Sequence, residues 1–252
     1  MFRVVIPARF DSVRLPGKVL LLLAGKPMLQ WVYERARASS AQEVLIATDD
    51  ARIADAAHGF GAKVAMTAST HPSGTDRIAQ VASDRCWSDD DIVVNVQADE
   101  PLIPSSLIDQ AARVLATHPQ ADIATLATPI ASQLEFLDPN VVKVVVDIGG
   151  RALYFSRAGV PFRRDPVLTS GASQAAAPAA RRHVGIYAYR VAALKLLTVL
   201  PPSFLESCEK LEQLRALENA LRIQVASACE APGPDVNSAA DLAHVLSLIG
   251  PR

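Results

Sequence analysis

Five short runs of buried-strand character, separated by four helical patterns, constrain the fold of this chain more than any other feature. They are "FRVVIPA" near the N-terminus, "EVLIATDD", "AKVAMTA", "DIVVNVQ" and "DIATLATPI". Short β-branched and apolar runs ended by proline or polar residues read as strands covered on both faces. Between them, "KPMLQWVYERARASS" spaces Met28, Leu29, Val32 and Ala36 at helical intervals, and "ARIADAAHGFG" is a helix closed by glycine. "TDRIAQVASDR" reads as a helix opened by a Thr or Asp cap, and "PSSLIDQAARVLATH" as one opened by proline and serine. This alternation predicts an α/β fold, doubly wound around a mostly parallel sheet. Its ligand crevice should lie beyond the carboxyl ends of the strands.

After about residue 135 the rhythm changes. "VVKVVVDIGGRALYFSR" predicts two strands joined by a Gly-Gly turn, a hairpin rather than a crossover. "RRHVGIYAYR" predicts a further strand, "LESCEKLEQLRALENAL" one long helix, "RIQVASAC" a strand and "SAADLAHVLSLIG" a final helix. "LTSGASQAAAPAA", within 168–180, reads as a surface loop. The expectation is a single domain over 1–252 with a smaller antiparallel lobe at about 141–190.

Charge and cysteine usage narrow the function classes. The formal net charge is −1 over 252 residues, so no general attraction to nucleic acid or an anionic membrane is expected. Cys86, Cys208 and Cys229 are odd in number and far apart, which suggests neither a disulfide framework nor a metal spacing. "VLLLLA" is too short to span a bilayer and no leader-like segment precedes it, so a cytoplasmic protein is expected.

Against that near-neutral background, "PARFDSVRLPGK" (7–18) crowds Arg9, Arg14 and Lys18 onto one loop stiffened by Pro7 and Pro16. Three like charges there call for an anion between them, a polyphosphate or an acidic sugar. A Walker loop and a G-x-G-x-x-G turn are both absent. "NVQADEPLI" (95–103) places Asp99 and Glu100 where the fourth strand ends. Asp99 suits a Mg²⁺ bridged to phosphate oxygens, whereas Glu100 equally suits an acidic turn before the next helix. In "HPSGTDR" (71–77), Ser73 and Gly74 permit close backbone approach to a base, Thr75 or Asp76 reads as a helix cap, and His71 as structural or solvent-facing.

"ARFDSVRLPGK", "GKPML", "HPSGTDR", "NVQADEPLIP", "NVVKVV", "ALYFSR", "RHVGIYAYR" and "LEQLRAL", in this order, resemble the CMP-KDO synthetases. These are the 3-deoxy-manno-octulosonate cytidylyltransferases, and the match spans nearly the whole chain. The resemblance implies a nucleotidyltransferase-type α/β fold, a homodimer and Mg²⁺-dependent synthesis of CMP-KDO and pyrophosphate from CTP and KDO, an acidic eight-carbon sugar, for lipopolysaccharide. It further implies that Ala8, Arg9 and Lys18 meet the CTP base and phosphates, with Arg14 close to the triphosphate. Ser73 and Gly74 would hold the cytosine, Gln97 would line the site and Asp99 would bind the metal. Arg157, His183, Tyr187, Glu212 and Gln213 occupy the positions that grip KDO.

One departure from the family pattern bears on the metal. In "PGPDVNSAADL" (232–242) the position of a second metal-binding aspartate holds Asn237, and Asp235 two residues earlier is an alternative ligand on the same face of an extended segment. Ala98 replaces the usual glycine, and "ENALRI" replaces an aromatic-rich turn with glycine. These changes leave open the same chemistry on an amino-KDO or sialic-type acid, or a weakened CTP-binding homologue. A glycosyltransferase of nucleotide-sugar fold would also use an acidic metal site, but it would not need the cationic first loop.

Overall fold

The structure is a computed structural model that describes residues 1–11, 15–162, 164 and 180–250. The chain begins with β1 (Phe2–Pro7), a 3₁₀ turn (Lys18–Leu20), β2 (Leu22–Leu23), β3 (Lys26–Pro27) and α1 (Met28–Arg37). It continues through β4 (Glu43–Thr48), α2 (Ala51–Gly59), β5 (Lys63–Met66), α3 (Gly74–Asp84), β6 (Ile92–Asn95) and α4 (Ser105–Thr117). Next come β7 (Ile123–Pro129), α5 (Gln133–Leu137), β8 (Lys143–Val146), β9 (Ala152–Ser156), β10 (Arg181–Arg190) and α6 (Val191–Val199). The chain closes with α7 (Phe204–Glu209), α8 (Gln213–Glu218), β11 (Ile223–Ser227) and α9 (Ala239–Ile249).

The main sheet runs β11-β7-β10-β6-β1-β4-β5. β1 pairs in parallel with β4 and β6, β4 with β5, and β7 with β11. Alternate side chains of the inner strands serve opposite faces, as the pleat requires. Val4, Ile6, Val44, Ile46 and Val94 join one core with Met28 and Leu29 of α1 and Leu107 and Ile108 of α4. Val5, Leu45, Ala47 and Val93 join the other with Ile78 and Val81 of α3 and Leu194 of α6. The sheet is covered on both faces, as doubly wound folds require. Among the described residues no helix is long and apolar enough to cross a membrane.

Three sequence expectations need correction. The hairpin β8–β9 forms antiparallel as predicted, with Lys143 opposite Ser156. However, β10 is not part of a peripheral lobe: it lies in the middle of the main sheet, antiparallel to both β6 and β7. β8 pairs with the Arg181–Arg182 end of β10, so the hairpin extends the same sheet. The single long helix is two short ones, α7 and α8. Lys210, at φ 53°, adopts the left-handed conformation that ends α7, and a Ser203–Glu206 capping box opens it. The cap of α3 is Ser73, whose hydroxyl accepts from the Asp76 N–H, rather than Thr75 or Asp76. The amphipathic pattern alone did not contain these stops.

Candidate active site

The opening loop leaves β1 at the carboxyl end of the sheet, where the Ala8 N–H donates to the Ala47 carbonyl at 2.8 Å. The loop closes on itself through a 3.0 Å bond from the Gly17 N–H to the Phe10 carbonyl. Gly17 is at φ +66°, a conformation that favours glycine, and a Cβ there would lie 3.0 Å from the Phe10 ring. This turn delivers Lys18 to the floor of a cleft of about 420 Å³. Ala8, Arg9, Lys18, Ser73, Gly74, Gln97 and Asp99 all line it, so the structure brings together every described candidate of the nucleotide group. Arg14 lies outside the described residues, as does most of 168–180.

The C-terminal segment reaches the same cleft by close packing. A Cβ on Gly233 would lie 2.6 Å from the Leu102 carbonyl oxygen, and the Val236 N–H donates to the Asp99 carbonyl at 2.9 Å. Asn237 thereby lines the cleft. Lys18 Nζ donates to Asp99 Oδ2 at 2.7 Å, to the Val236 carbonyl at 3.1 Å and to Asn237 Oδ1 at 3.3 Å. Asp235 is exposed and stands behind Asn237, accepting from its Nδ2. Of the two alternatives, Asn237 therefore faces the cleft, and Asp235 turns the amide so that its oxygen points inward.

Arg77, which no sequence motif singled out, also lines this cleft. It is buried, donates to Thr67 Oγ1 and pairs with Asp49 Oδ1 at 3.1 Å. It fastens α3 to the ends of β4 and β5. The signal lay in its position one turn into a capped helix, where an exposed arginine would have no evident partner.

A second cleft, of about 290 Å³, adjoins the first, with Gly74 and Gln97 lining both. His183, Tyr187, Glu212 and Gln213 line it, and so do Thr75 and Asn95. The Thr75 hydroxyl donates to Glu212 Oε1. Burial pushes the Glu212 carboxyl above its ordinary range, with the hydroxyls of Thr75 and Ser73 opposing. Arg157 stands apart from both clefts. Its Nε donates to the Glu209 carbonyl at 2.7 Å and its Nη1 to the Pro139 carbonyl at 2.9 Å, so its guanidinium closes the base of the hairpin.

β10 carries a bulge between Val184 and Tyr187, beside this cleft. Buried Thr125 clamps it: Oγ1 donates to the carbonyls of Ile186 (2.7 Å) and Val184 (3.1 Å) and lies 3.0 Å from His183 Nε2. A hydroxyl has one proton, already committed to the carbonyls, so Nε2 is the donor and the ring is held in place. Burial pushes its pKa down from 6.5 to about 3. Between these values the unfolded chain binds a proton that the folded chain refuses, so this contribution is present above pH 6.5 and lost as pH falls toward 3. Urea unfolding should lose about 2 kcal/mol more in wild type than in His183→Gln between about pH 7 and pH 5. Equal losses in the two proteins would overturn this account of His183.

A family model described as cytidylyltransferase matches residues 3–223. A 3-deoxy-manno-octulosonate cytidylyltransferase of Pseudomonas fluorescens is 54% identical over 248 residues, 98% of each chain. One of Thioalkalivibrio sulfidiphilus is 51% identical over the same length and shares. The chain belongs to the 3-deoxy-manno-octulosonate cytidylyltransferase family. A solved CMP:2-keto-3-deoxy-manno-octonic acid synthetase complexed with CTP superposes with a TM-score of 0.89 at 40% identity, covering 99% of this chain and 98% of that one. A cytidylyltransferase from Leptospira borgpetersenii, at TM-score 0.63 and 17% identity, shares the fold.

Among the described residues no cluster of three or more His, Cys, Asp and Glu side chains could hold a metal by itself. A site for Mg²⁺ needs less, since that ion is commonly held by one or two carboxylates with substrate phosphates completing its shell. Asp99 and Asn237 offer hard oxygens that already converge on a cation, the Lys18 ammonium. The residues present fit the group.

Proposed function

We propose that this protein transfers CMP from CTP to the anomeric hydroxyl of KDO, giving CMP-KDO and pyrophosphate for lipopolysaccharide synthesis. We further propose that it works with Mg²⁺, in the cytoplasm and as a homodimer. The observation that carries the reading is the meeting of two clefts at Gly74 and Gln97. One is edged by Arg9, Lys18 and Asp99, and the other by His183, Tyr187, Glu212 and Gln213. Such a pair suits a triphosphate and a polyhydroxylated acid brought end to end. The relatives named above supply the identities of nucleotide and sugar.

The chemistry asks little covalent work of the protein. The sugar oxygen forms a bond to the α-phosphorus as the bond to the bridging oxygen breaks. Pyrophosphate departs with that electron pair, and the hydroxyl proton passes to solvent. Arg9 and Lys18 answer the charge gathering on the phosphate oxygens, Ser73 and Gly74 bring the N-terminus of α3 close to the nucleotide, and Gln97 stands at the junction. Mg²⁺ held by Asp99, Asn237 and the phosphates would add charge neutralisation there. Neutral His183, with Tyr187, Glu212 and Gln213, orients the sugar rather than moving protons.

Pyrophosphate release from CTP and Mg²⁺ should be measured with KDO, an amino-KDO and a sialic acid. The expected result is that KDO gives the highest kcat/KM. Preference for another sugar acid would leave the transfer intact and overturn the acceptor. Binding of CTP without pyrophosphate from any acid would overturn the enzyme.

A further inference from the structure

Three buried side-chain polar atoms lack a hydrogen-bonding partner among the described residues: Asn95 Oδ1, the Tyr187 hydroxyl and Arg215 Nε. Arg215 is otherwise well held, donating to the carbonyls of Leu197 and Leu200 and to Glu206. The other two stand directly opposite each other, Tyr187 on β10 and Asn95 on β6, and both line the second cleft. Asn95 is only 2% exposed and ends the strand Ile-Val-Val-Asn, whose other residues are buried and apolar. Its neighbour in the parallel direction is Val5. A strand in this position is better packed by valine, so an unpaired amide there is a cost that packing does not explain.

We propose that Asn95 is a sugar-contacting residue that, with Tyr187, reads a single hydroxyl of the acceptor. The proposal rests on the second cleft being the sugar site, as argued above. An amide oxygen only accepts, so its counterpart must be a donor, while a phenol can donate or accept. A hydroxyl satisfies both at once, donating to Asn95 Oδ1 and accepting from the Tyr187 hydroxyl. A carboxylate offers no proton and cannot satisfy Asn95 Oδ1. The pair therefore selects for the polyol part of the acid, and the carboxylate must be held elsewhere in the cleft. The sequence hid this residue because one polar side chain at the end of an apolar run looks like the edge of a strand.

The test pairs changes in the enzyme with changes in the sugar. Wild type and Asn95→Ala are assayed with KDO and with monodeoxy analogues of KDO, each lacking one hydroxyl. For wild type, one analogue should show a sugar KM raised by about tenfold or more, since a site polar group is left unpaired. Asn95→Ala should raise the KM for KDO by a similar factor, leave the KM for CTP unchanged and no longer distinguish KDO from that analogue. The analogue series on wild type needs no variant and stands even if Asn95→Ala fails to fold. If all analogues match KDO within twofold, or if Asn95→Ala keeps the wild-type preference, the assignment of Asn95 falls alone. If wild type releases no pyrophosphate with KDO itself, the proposed function falls and takes this assignment with it.

Discussion

Asp99→Asn is expected to lower the rate of pyrophosphate release from CTP and KDO by about 10²–10³-fold, the loss typical of one preorganised electrostatic group. The substitution keeps the shape of the side chain and removes its charge. That charge faces Lys18 at 2.7 Å, and the Asp99 main chain also anchors Val236 and hence Asn237. Asn237 carries no charge, so Asp99 is the charged partner of this pair lining the cleft. Without it two neutral amides would face a divalent cation. Global stability should change little, because the ion pair is partly solvated and such pairs contribute at most about 1 kcal/mol. Urea unfolding separates a chemical loss from a folding loss. Turnover of Asp99→Asn within tenfold of wild type would remove Asp99 from the catalytic group.

The parallel core was legible because burial on both faces leaves a local trace. "EVLIATDD" places five consecutive buried residues, Val44–Thr48, before an acidic stop, and Asp50 then caps α2 by accepting from the Arg52 N–H. The place of β10 was not legible. Its alternating burial fits a half-exposed strand, yet it lies between β6 and β7, since sheet order is set by partners distant in sequence. α6 left no periodic signal at all: "VAALKLLTV" is apolar around most of its circumference, and no polar face marked it as a helix.

The site divides along similar lines. The cations of the first loop and Asp99 could be read because charge on a Pro-stiffened turn is unusual. Arg157 resembled a ligand by pattern, yet its guanidinium is committed to two main-chain carbonyls. Thr125 and Asn95 were invisible for the opposite reason, being single polar residues within strands. Their importance appears only once β10 is laid beside β6 and β7.

Lys143 is the residue whose loss should most damage the fold around the second cleft, and Lys143→Ala is expected to lower the unfolding free energy by about 3–5 kcal/mol. It is wholly buried at the start of β8, and its Nζ donates to the carbonyls of Asp138 (2.9 Å), Val141 (2.5 Å) and Arg157 (2.7 Å). Three main-chain acceptors from both ends of the hairpin thus meet at one ammonium. Alanine would leave them unpaired and open a cavity where the stem packed. Burial lowers the pKa of this lysine from its usual value, but three carbonyl dipoles favour the charged form that donates to them. Lys143→Met separates the two contributions, since it retains most of the stem and none of the hydrogen bonds. It should still lose about 2 kcal/mol, and a neutral result would assign the role of Lys143 to packing alone. The damage should reach catalysis through Val142, whose carbonyl accepts from the His183 N–H at 2.8 Å and whose side of the hairpin walls the second cleft. A raised KM for the sugar with an unchanged KM for CTP is therefore expected in Lys143→Met. Equal rises in both would place the hairpin's influence on the whole site rather than on its sugar half.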